Sequence, residues 1–213
     1  MPDSQLSTPE PLPEAESAAA PVRKRPKPGE RRVQILQALA TMLEQPGAER
    51  ITTAALAARL EVSEAALYRH FASKAQMFEG LIEFIEQSVF TLVNQITERE
   101  SVGAAQAAKI VTMLLQFAEK NPGMTRVMVG DALVFENERL QQRMNQFFDK
   151  IEATLRQSLR TGAESDAATP SADAQVKASM LTSFAVGRLQ RFARSGFRRM
   201  PSEHLEASLA QML

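Results

Sequence analysis

The sequence has no cysteine and no tryptophan among its 213 residues, and only one tyrosine and two histidines. Without cysteine, disulfides, zinc knuckles and thiol nucleophiles are excluded. The two histidines, His70 and His204, are far apart and have no paired carboxylates beside them, which argues against a transition-metal site. We therefore expect neither a metal nor any other cofactor.

Long apolar runs are also missing. No stretch of about 18 apolar residues is present, so no segment is expected to span a membrane. The N-terminus lacks the apolar core of a secretory signal. These two features predict a cytoplasmic protein with no membrane partner.

Motifs for catalysis are absent as well. The chain has no glycine-rich phosphate loop, no Ser/His/Asp set and no convergent pair of carboxylates. The closely spaced acids, Glu83 with Glu86 and Glu136 with Glu138, are better interpreted as solvated side chains. We expect no enzymatic activity.

Charge is unevenly distributed although the formal net charge is zero. Residues 1–20 carry four acids and no base, and residues 81–213 carry fifteen of each sign. Residues 21–80 carry ten Lys and Arg against six Asp and Glu, a net charge of +4. This excess predicts a nucleic-acid footprint in and just before the segment 51–74.

Apolar residues recur at helical spacing through most of the chain, and alternating strand patterns are absent. We predict an all-α protein of about nine helices. Residues 1–29 are a Pro- and Glu-rich tail that should be disordered, with a basic end at residues 23–27. This end is either an arm that reaches DNA or a solvated linker. A small domain is predicted at 30–75 and a larger helical domain at 76–213, with a long helix at about 73–99 joining the two cores.

Residues 51–74 have the layout of a helix-turn-helix. Thr52 and Ser63 are predicted N-caps of two short helices, and Ser73 with Gln76 predicts a capping box at the start of a third. The second helix, predicted at 64–71, would enter the major groove of DNA. An ordinary helical hairpin with solvated polar residues is the alternative that spacing alone leaves open.

Small and polar side chains occupy the outer side of this segment. Alanine is small enough for close approach to bases, Arg69 can donate to guanine or phosphate, and Tyr68 and Lys74 are predicted to serve mainly phosphates. The candidate DNA-binding residues are Thr52, Thr53, Ser63, Glu64, Ala65, Ala66, Tyr68, Arg69, His70 and Lys74.

The segment ITTAALAARLEVSEAALYRHFASK resembles the DNA-binding part of TetR-family regulators, and its ending LYRHFASK is the most specific part. The runs VSEAALYRHFASKAQMFEGLIEFIE and NPGMTRVMVGDALVFENERLQQRMNQFFDKIEATLRQ are similar to those of the SlmA family of nucleoid occlusion factors. This resemblance covers roughly residues 31–160 and continues more weakly to the end.

The resemblance implies a homodimer that binds palindromic double-stranded DNA and associates with the nucleoid. It also implies that the DNA-bound form engages the C-terminal tail of FtsZ and antagonises FtsZ polymerisation, which prevents septation over the chromosome. Carried over by position, the partner-binding residues are Phe84, Met113, Lys120 and Asn121, whereas Leu92 and Gln116 depart from the Arg and Gly expected there.

Dimerisation is expected through the two long C-terminal helices, at about 137–159 and 173–195. Their apolar stripes include Phe147, Phe148, Phe184 and Phe192. The same stripes could instead fill the core of a single subunit. Two other functions stay open: a ligand-responsive TetR-type transcriptional repressor, and a structural helical adaptor.

Overall fold

The structure, a computed structural model, describes residues 29–45, 51–161 and 170–213. Within these ranges it contains nine α-helices, one short 3-10 helix and no strand, which confirms the predicted all-α class. The predicted tail to residue 28 and most of the predicted loop at 161–172 lie outside the described residues. The helices are α1 (Glu30–Leu43), α2 (Thr53–Arg59), α3 (Glu64–Tyr68), α4 (Lys74–Arg99), α5 (Gly103–Lys120), α6 (Pro122–Met128), α7 (Glu138–Thr161), α8 (Pro170–Arg194) and α9 (Leu205–Met212), with the 3-10 helix at Asp131–Leu133.

The predicted N-caps are all present. The side-chain oxygens of Thr52, Ser63 and Ser73 accept from backbone N–H groups at the starts of α2, α3 and α4. The capping box of α4 is shifted by one residue, because Gln76 Oε1 accepts from the N–H of Ala72 rather than that of Ser73. Local side-chain chemistry therefore sets the start of each helix in this region.

Some helix ends differ from the prediction. Helix α3 ends at Tyr68, although a helix to residue 71 was expected, and Phe71 is nevertheless fully buried. Helix α9 begins at Leu205 rather than at Pro201, although proline often occupies the first position of a helix, and it follows a turn in which His204 has a φ of 54°. Val33 continues the apolar spacing of α1 in the sequence but is 52% exposed, because Ile35, Leu39 and Leu43 define a narrower buried stripe.

The buried core runs without a break across the predicted domain boundary near residue 75. Helix α1 packs on α6 as well as on α2 and α4, so the DNA-binding unit rests on the larger domain. Gly123, at the start of α6, allows this contact: a Cβ there would lie 1.9 Å from the carbonyl oxygen of Ala40. The sequence Asn-Pro-Gly, in which α5 ends and α6 begins, thus also supplies this close approach.

Helices α7 and α8 pack along each other and onto α5. Phe147 and Phe192 were predicted in the dimer interface, but both are almost completely buried inside the subunit. Phe147 makes edge-to-face contacts with Phe90 and Phe148, at ring-centroid distances of 5.5 and 5.1 Å. Its position on the inward stripe of α7 therefore assigns it to the subunit core, and only Phe148 and Phe184 are partly exposed.

Candidate nucleic-acid interface and partner groove

Helices α2 and α3 pack against each other and leave a polar outer face. Leu56 and Leu67 face the core and are buried, which turns Glu64, Ala65, Tyr68 and Arg69 outward. Glu61, in the turn between the helices, has a left-handed φ of 52°. The exposed N-terminal half of α3 is the part of a recognition helix that contacts base edges. Nine of the ten candidate DNA-binding residues lie between residues 52 and 70, on or beside this face.

A hydrogen-bonded network joins the two helices on that face. Thr53 Oγ1 donates to Glu64 Oε2 at 2.5 Å, and the hydroxyl of Tyr68 donates to Thr53 Oγ1 at 3.5 Å. The first bond is short and charge-assisted, whereas the second is at the limit of a hydrogen bond. The hydroxyl of Tyr68 can therefore exchange its weak hydrogen bond for one to a phosphate, whereas the hydroxyl proton of Thr53 is held by the carboxylate of Glu64.

Arg32 of α1 holds the C-terminal end of the recognition helix. Its Nη1 donates to the carbonyl oxygen of His70 at 2.9 Å, and its guanidinium lies 4.0 Å from the ring centroid of Phe71. The backbone after α3 is thus anchored on α1, and the side chains of Arg69 and His70 remain exposed. Arg32 is not among the residues predicted from the sequence, because this contact joins segments 38 residues apart.

Lys74 is positioned differently from the other candidates. Its Nζ lies 2.5 Å from Glu136 Oε1, in the segment between the 3-10 helix and α7. The Lys74 side chain is 29% exposed and that of Glu136 is 9% exposed. The ammonium of Lys74 has three N–H donors, so a phosphate would share it with this carboxylate or draw it away. The predicted phosphate contact would therefore be coupled to the larger domain.

Two further ion pairs join α4 to α7. Glu79 pairs with Arg139, and Glu86 accepts from both Nε and Nη2 of Arg143 at 3.2 and 2.5 Å. The hydrogen bond from Arg143 to Glu86 raises the pKa of the guanidinium. Glu86 was predicted to be merely solvated, and Glu136 likewise, so both predictions are wrong. Together these pairs tie α4 to the start of α7.

The four predicted partner-binding residues lie on α4 and α5 or directly after α5. Phe84 is 48% exposed despite its size, Met113 is half-buried, and Lys120 is exposed. Asn121 donates from Nδ2 to the carbonyl oxygen of Phe117 at 2.7 Å and ends α5. Phe84, Met113 and Lys120 are thus available for contact, whereas the amide of Asn121 already supports the backbone.

A groove runs along the outer face of α5. Its α4 side is a section of about 280 Å³ lined by residues that include Leu92, Ile96 and Met113. Its α9 side is a section of about 520 Å³ that shares Ile96 and Met113 and adds Leu209. Met113 therefore lies on the floor of a groove with walls on both sides.

The comparisons with known proteins agree with this layout. Residues 35–81 match the family described as "Bacterial regulatory proteins, tetR family", and residues 104–213 match "Tetracyclin repressor-like, C-terminal domain". The nucleoid occlusion factor SlmA of Idiomarina loihiensis is 51% identical over 177 residues, which are 83% of this chain and 90% of the relative. That of Vibrio cholerae serotype O1 is 50% identical over the same shares of both chains.

The chain belongs to the SlmA family of nucleoid occlusion factors. Solved structures share its fold at low identity. A TetR transcriptional regulator from Legionella pneumophila superposes with a TM-score of 0.68 at 16% identity, covering 89% of this chain and 99% of the other. FadR from Bacillus subtilis, in complex with stearoyl-CoA, superposes with a TM-score of 0.67 at 13% identity, covering 84% and 96%. These likenesses show the TetR-type fold.

Two large apolar side chains of α4, Phe84 and Leu92, are exposed at 48% and 38%. The described part of the chain contains no helix long and apolar enough to cross a membrane.

Proposed function

We propose that this SlmA-family protein binds specific palindromes on the chromosome and, when DNA-bound, antagonises FtsZ polymerisation. It would thereby prevent septum formation over the nucleoid. It would be a cytoplasmic protein that associates with the nucleoid. The observation that carries this proposal is the 51% identity to a nucleoid occlusion factor SlmA over 83% of the chain. The proposal assigns separate surfaces to the two activities.

The DNA-binding activity is assigned to the outer face of α2 and α3. Ala65 and Ala66 allow α3 to approach the base edges, and Arg69 and His70 extend toward the phosphates. Tyr68 supports this placement because its weak bond to Thr53 is readily exchanged for a phosphate. Thr52 and Ser63 act through their caps, which fix the backbone of the two helices.

Dimerisation is assigned to α8 and the adjoining part of α7. Val176 and Met180 are 57% and 49% exposed, and Phe184 continues the same line at a spacing of four residues. Two-fold pairing of this face would place two recognition helices on one duplex, as half-site recognition requires. Phe148 adds a partly buried ring from α7.

The FtsZ-binding activity is assigned to Phe84, Met113 and Lys120. Two apolar side chains and one cation fit a short segment that carries both apolar and acidic residues. Asn121 is assigned a supporting role, because its amide holds the end of α5 rather than pointing to a partner.

The test is sedimentation of FtsZ polymers formed with GTP, with this protein present and with or without duplexes selected for binding to it. Loss of polymer only with the selected duplex is the expected result, and a scrambled duplex of equal length is the control. Unchanged polymer in the presence of protein that still binds its duplex would overturn the FtsZ proposal. A ligand-responsive repressor would then become the favoured function.

A further inference from the structure

The last helix of the chain forms part of the groove that contains Met113. Glu206 and Leu209 of α9 line the same groove section as Ile96 of α4 and Thr112, Met113 and Gln116 of α5. A neighbouring section of about 490 Å³ shares Thr112, Gln116 and Glu206 and continues past His204. The groove therefore has α5 as its floor, α4 as one wall and α9 as the other.

Several contacts fix the position of this second wall. Glu119 of α5 accepts from the N–H of Ser202 at 2.8 Å, which holds the turn before α9 against the C-terminal end of α5. Arg188 of α8 donates to Ser208 at 3.4 Å, and Lys177 donates to the carbonyl oxygen of Leu213 at 3.3 Å. Leu205 and Leu209 are buried beneath the helix. Helix α9 is consequently held at both ends and in the middle.

The charges that line the groove differ between its two sides. Arg99 lines the α4 side together with Glu100 and Lys109, and these last two form an ion pair with each other, so Arg99 is left as the cation on this side. Lys109 also reaches the α9 side. Glu206 on α9 is an exposed acid that lines the groove beside Thr112 and Gln116. Apolar side chains of Ile96, Met113 and Leu209 lie between these walls. A ligand that matches this pattern has apolar anchors, acids toward α4 and a base toward α9.

We propose that α9 is the second wall of the partner-binding groove, and that Glu206 selects a basic residue in the bound segment of the partner. This inference rests on the proposed function, because the partner is the tail of FtsZ. The stretch of α5 from residue 109 to residue 120 is about 16 Å long, enough for roughly five residues of extended chain or three turns of helix. The bound segment is thus a short amphipathic peptide that contacts three helices.

The experiment measures binding of a fluorescent peptide with the sequence of the FtsZ C-terminal tail to the full-length protein on its selected duplex. Glu206→Lys should weaken peptide binding about tenfold and leave duplex binding unchanged. Glu203→Lys makes the same change in charge just before α9 at an exposed residue that does not line these groove sections, and should stay within twofold of wild type. A peptide with one base replaced by glutamate should bind Glu206→Lys better than it binds wild type.

The absence of native cysteine allows a second measurement that does not depend on affinity. A tail peptide with a bromoacetyl group should form a thioether with the thiol of Glu206→Cys, with loss of bromide. Gln211→Cys places a thiol on an exposed α9 position away from these groove sections, and should react much more slowly. Mass spectrometry of the intact protein distinguishes the two.

Two outcomes would overturn the inference in different ways. Equal peptide affinity of Glu206→Lys and Glu203→Lys, or equal reaction rates of the two thiols, would remove α9 from the partner-binding site. If Phe84→Lys abolished peptide binding in that case, the proposed function would stand without the α9 wall. If the wild-type protein bound its duplex but not the peptide, the proposed function would fail and the inference with it.

Discussion

Lys74 Nζ lies 2.5 Å from Glu136 Oε1, so the first residue of α4 is bound to the larger domain rather than directed freely toward DNA. The two residues are 62 positions apart in the sequence. A phosphate that binds Lys74 would share the ammonium with this carboxylate or draw it away from Glu136, whose side chain is 9% exposed. In the proposed complex, DNA binding and the packing of the segment before α7 are therefore linked through one ion pair.

The first prediction concerns this pair. Lys74→Ala should weaken binding to all duplexes and reduce the salt dependence by about one phosphate contact, since one counterion fewer is released. Glu136→Gln should tighten duplex binding several-fold because it frees Lys74. Fluorescence anisotropy over a series of salt concentrations measures both effects. Glu79→Gln is the matched control, because it neutralises an acid whose ion-pair partner is Arg139 rather than Lys74. An unchanged salt slope for Lys74→Ala would remove this residue from the interface.

The second prediction concerns the acid on the recognition helix. In the proposed complex, Glu64 would carry a negative charge toward the DNA phosphates, and Thr53 donates a hydrogen bond to its carboxylate. Glu64→Gln should therefore raise affinity for random duplexes several-fold, and the ratio of specific to random affinity should fall. Glu83→Gln, on the exposed side of α4, should change neither value. Loss of all duplex binding in Glu64→Gln would instead indicate that the network with Thr53 is needed to maintain the fold.

The third prediction separates two residues of the partner surface. Phe84→Ala should preserve duplex binding and cost less than about 1 kcal/mol of stability, because the ring is half exposed, but FtsZ antagonism should be lost. Asn121→Ala should cost about 1 kcal/mol or more, because the carbonyl of Phe117 loses its donor. Chemical unfolding and FtsZ sedimentation measure the two effects. A large loss of stability in Phe84→Ala would show that Phe84 is a core residue.

The fourth prediction concerns the contact between α1 and α6. Gly123→Ala would place a Cβ 1.9 Å from a backbone oxygen of Ala40, which cannot move without shifting α1. We expect a loss of roughly 2–3 kcal/mol or more in the free energy of unfolding, measured in urea. Gly80→Ala is a milder comparison, because its Cβ would meet only side-chain atoms of Phe71 and Leu36 at 3.2–3.4 Å. Equal stabilities would mean that α1 and α6 are less tightly packed than the structure indicates.

The fifth prediction concerns the dimer. Val176→Asp should produce monomers in analytical ultracentrifugation, because it places a charge in the centre of the proposed apolar interface. Affinity for a full palindrome should fall toward that for a half-site. Val102→Asp makes the same change at an equally exposed valine in the α4–α5 connection and should remain dimeric. A dimeric Val176→Asp protein would place the interface on another face.

The sequence by itself determined the helices, their caps and the helix-turn-helix. These features depend on contacts within four residues, such as Thr52 with Ala55 or Ser63 with Ala66, so a linear pattern is enough to predict them. The resemblance to the SlmA family predicted a partner-binding surface that includes Phe84, Met113 and Lys120. In the structure these three side chains are exposed or partly exposed. The premature end of α3 was missed, because the buried Phe71 continued the apolar pattern beyond the last helical turn.

Only the tertiary structure decided which residues from distant segments meet. Periodicity gives α7 and α8 apolar stripes but cannot say whether a ring such as Phe147 faces its own core or a second subunit. Lys74 and Glu136 each look solvated in the sequence, and their pairing follows from how α4 packs beside the segment before α7. Likewise, the turn before α9 lies at the C-terminal end of α5, where Ser202 donates to Glu119, 83 residues earlier. Such contacts are set by the packing of whole helices, which no local pattern encodes.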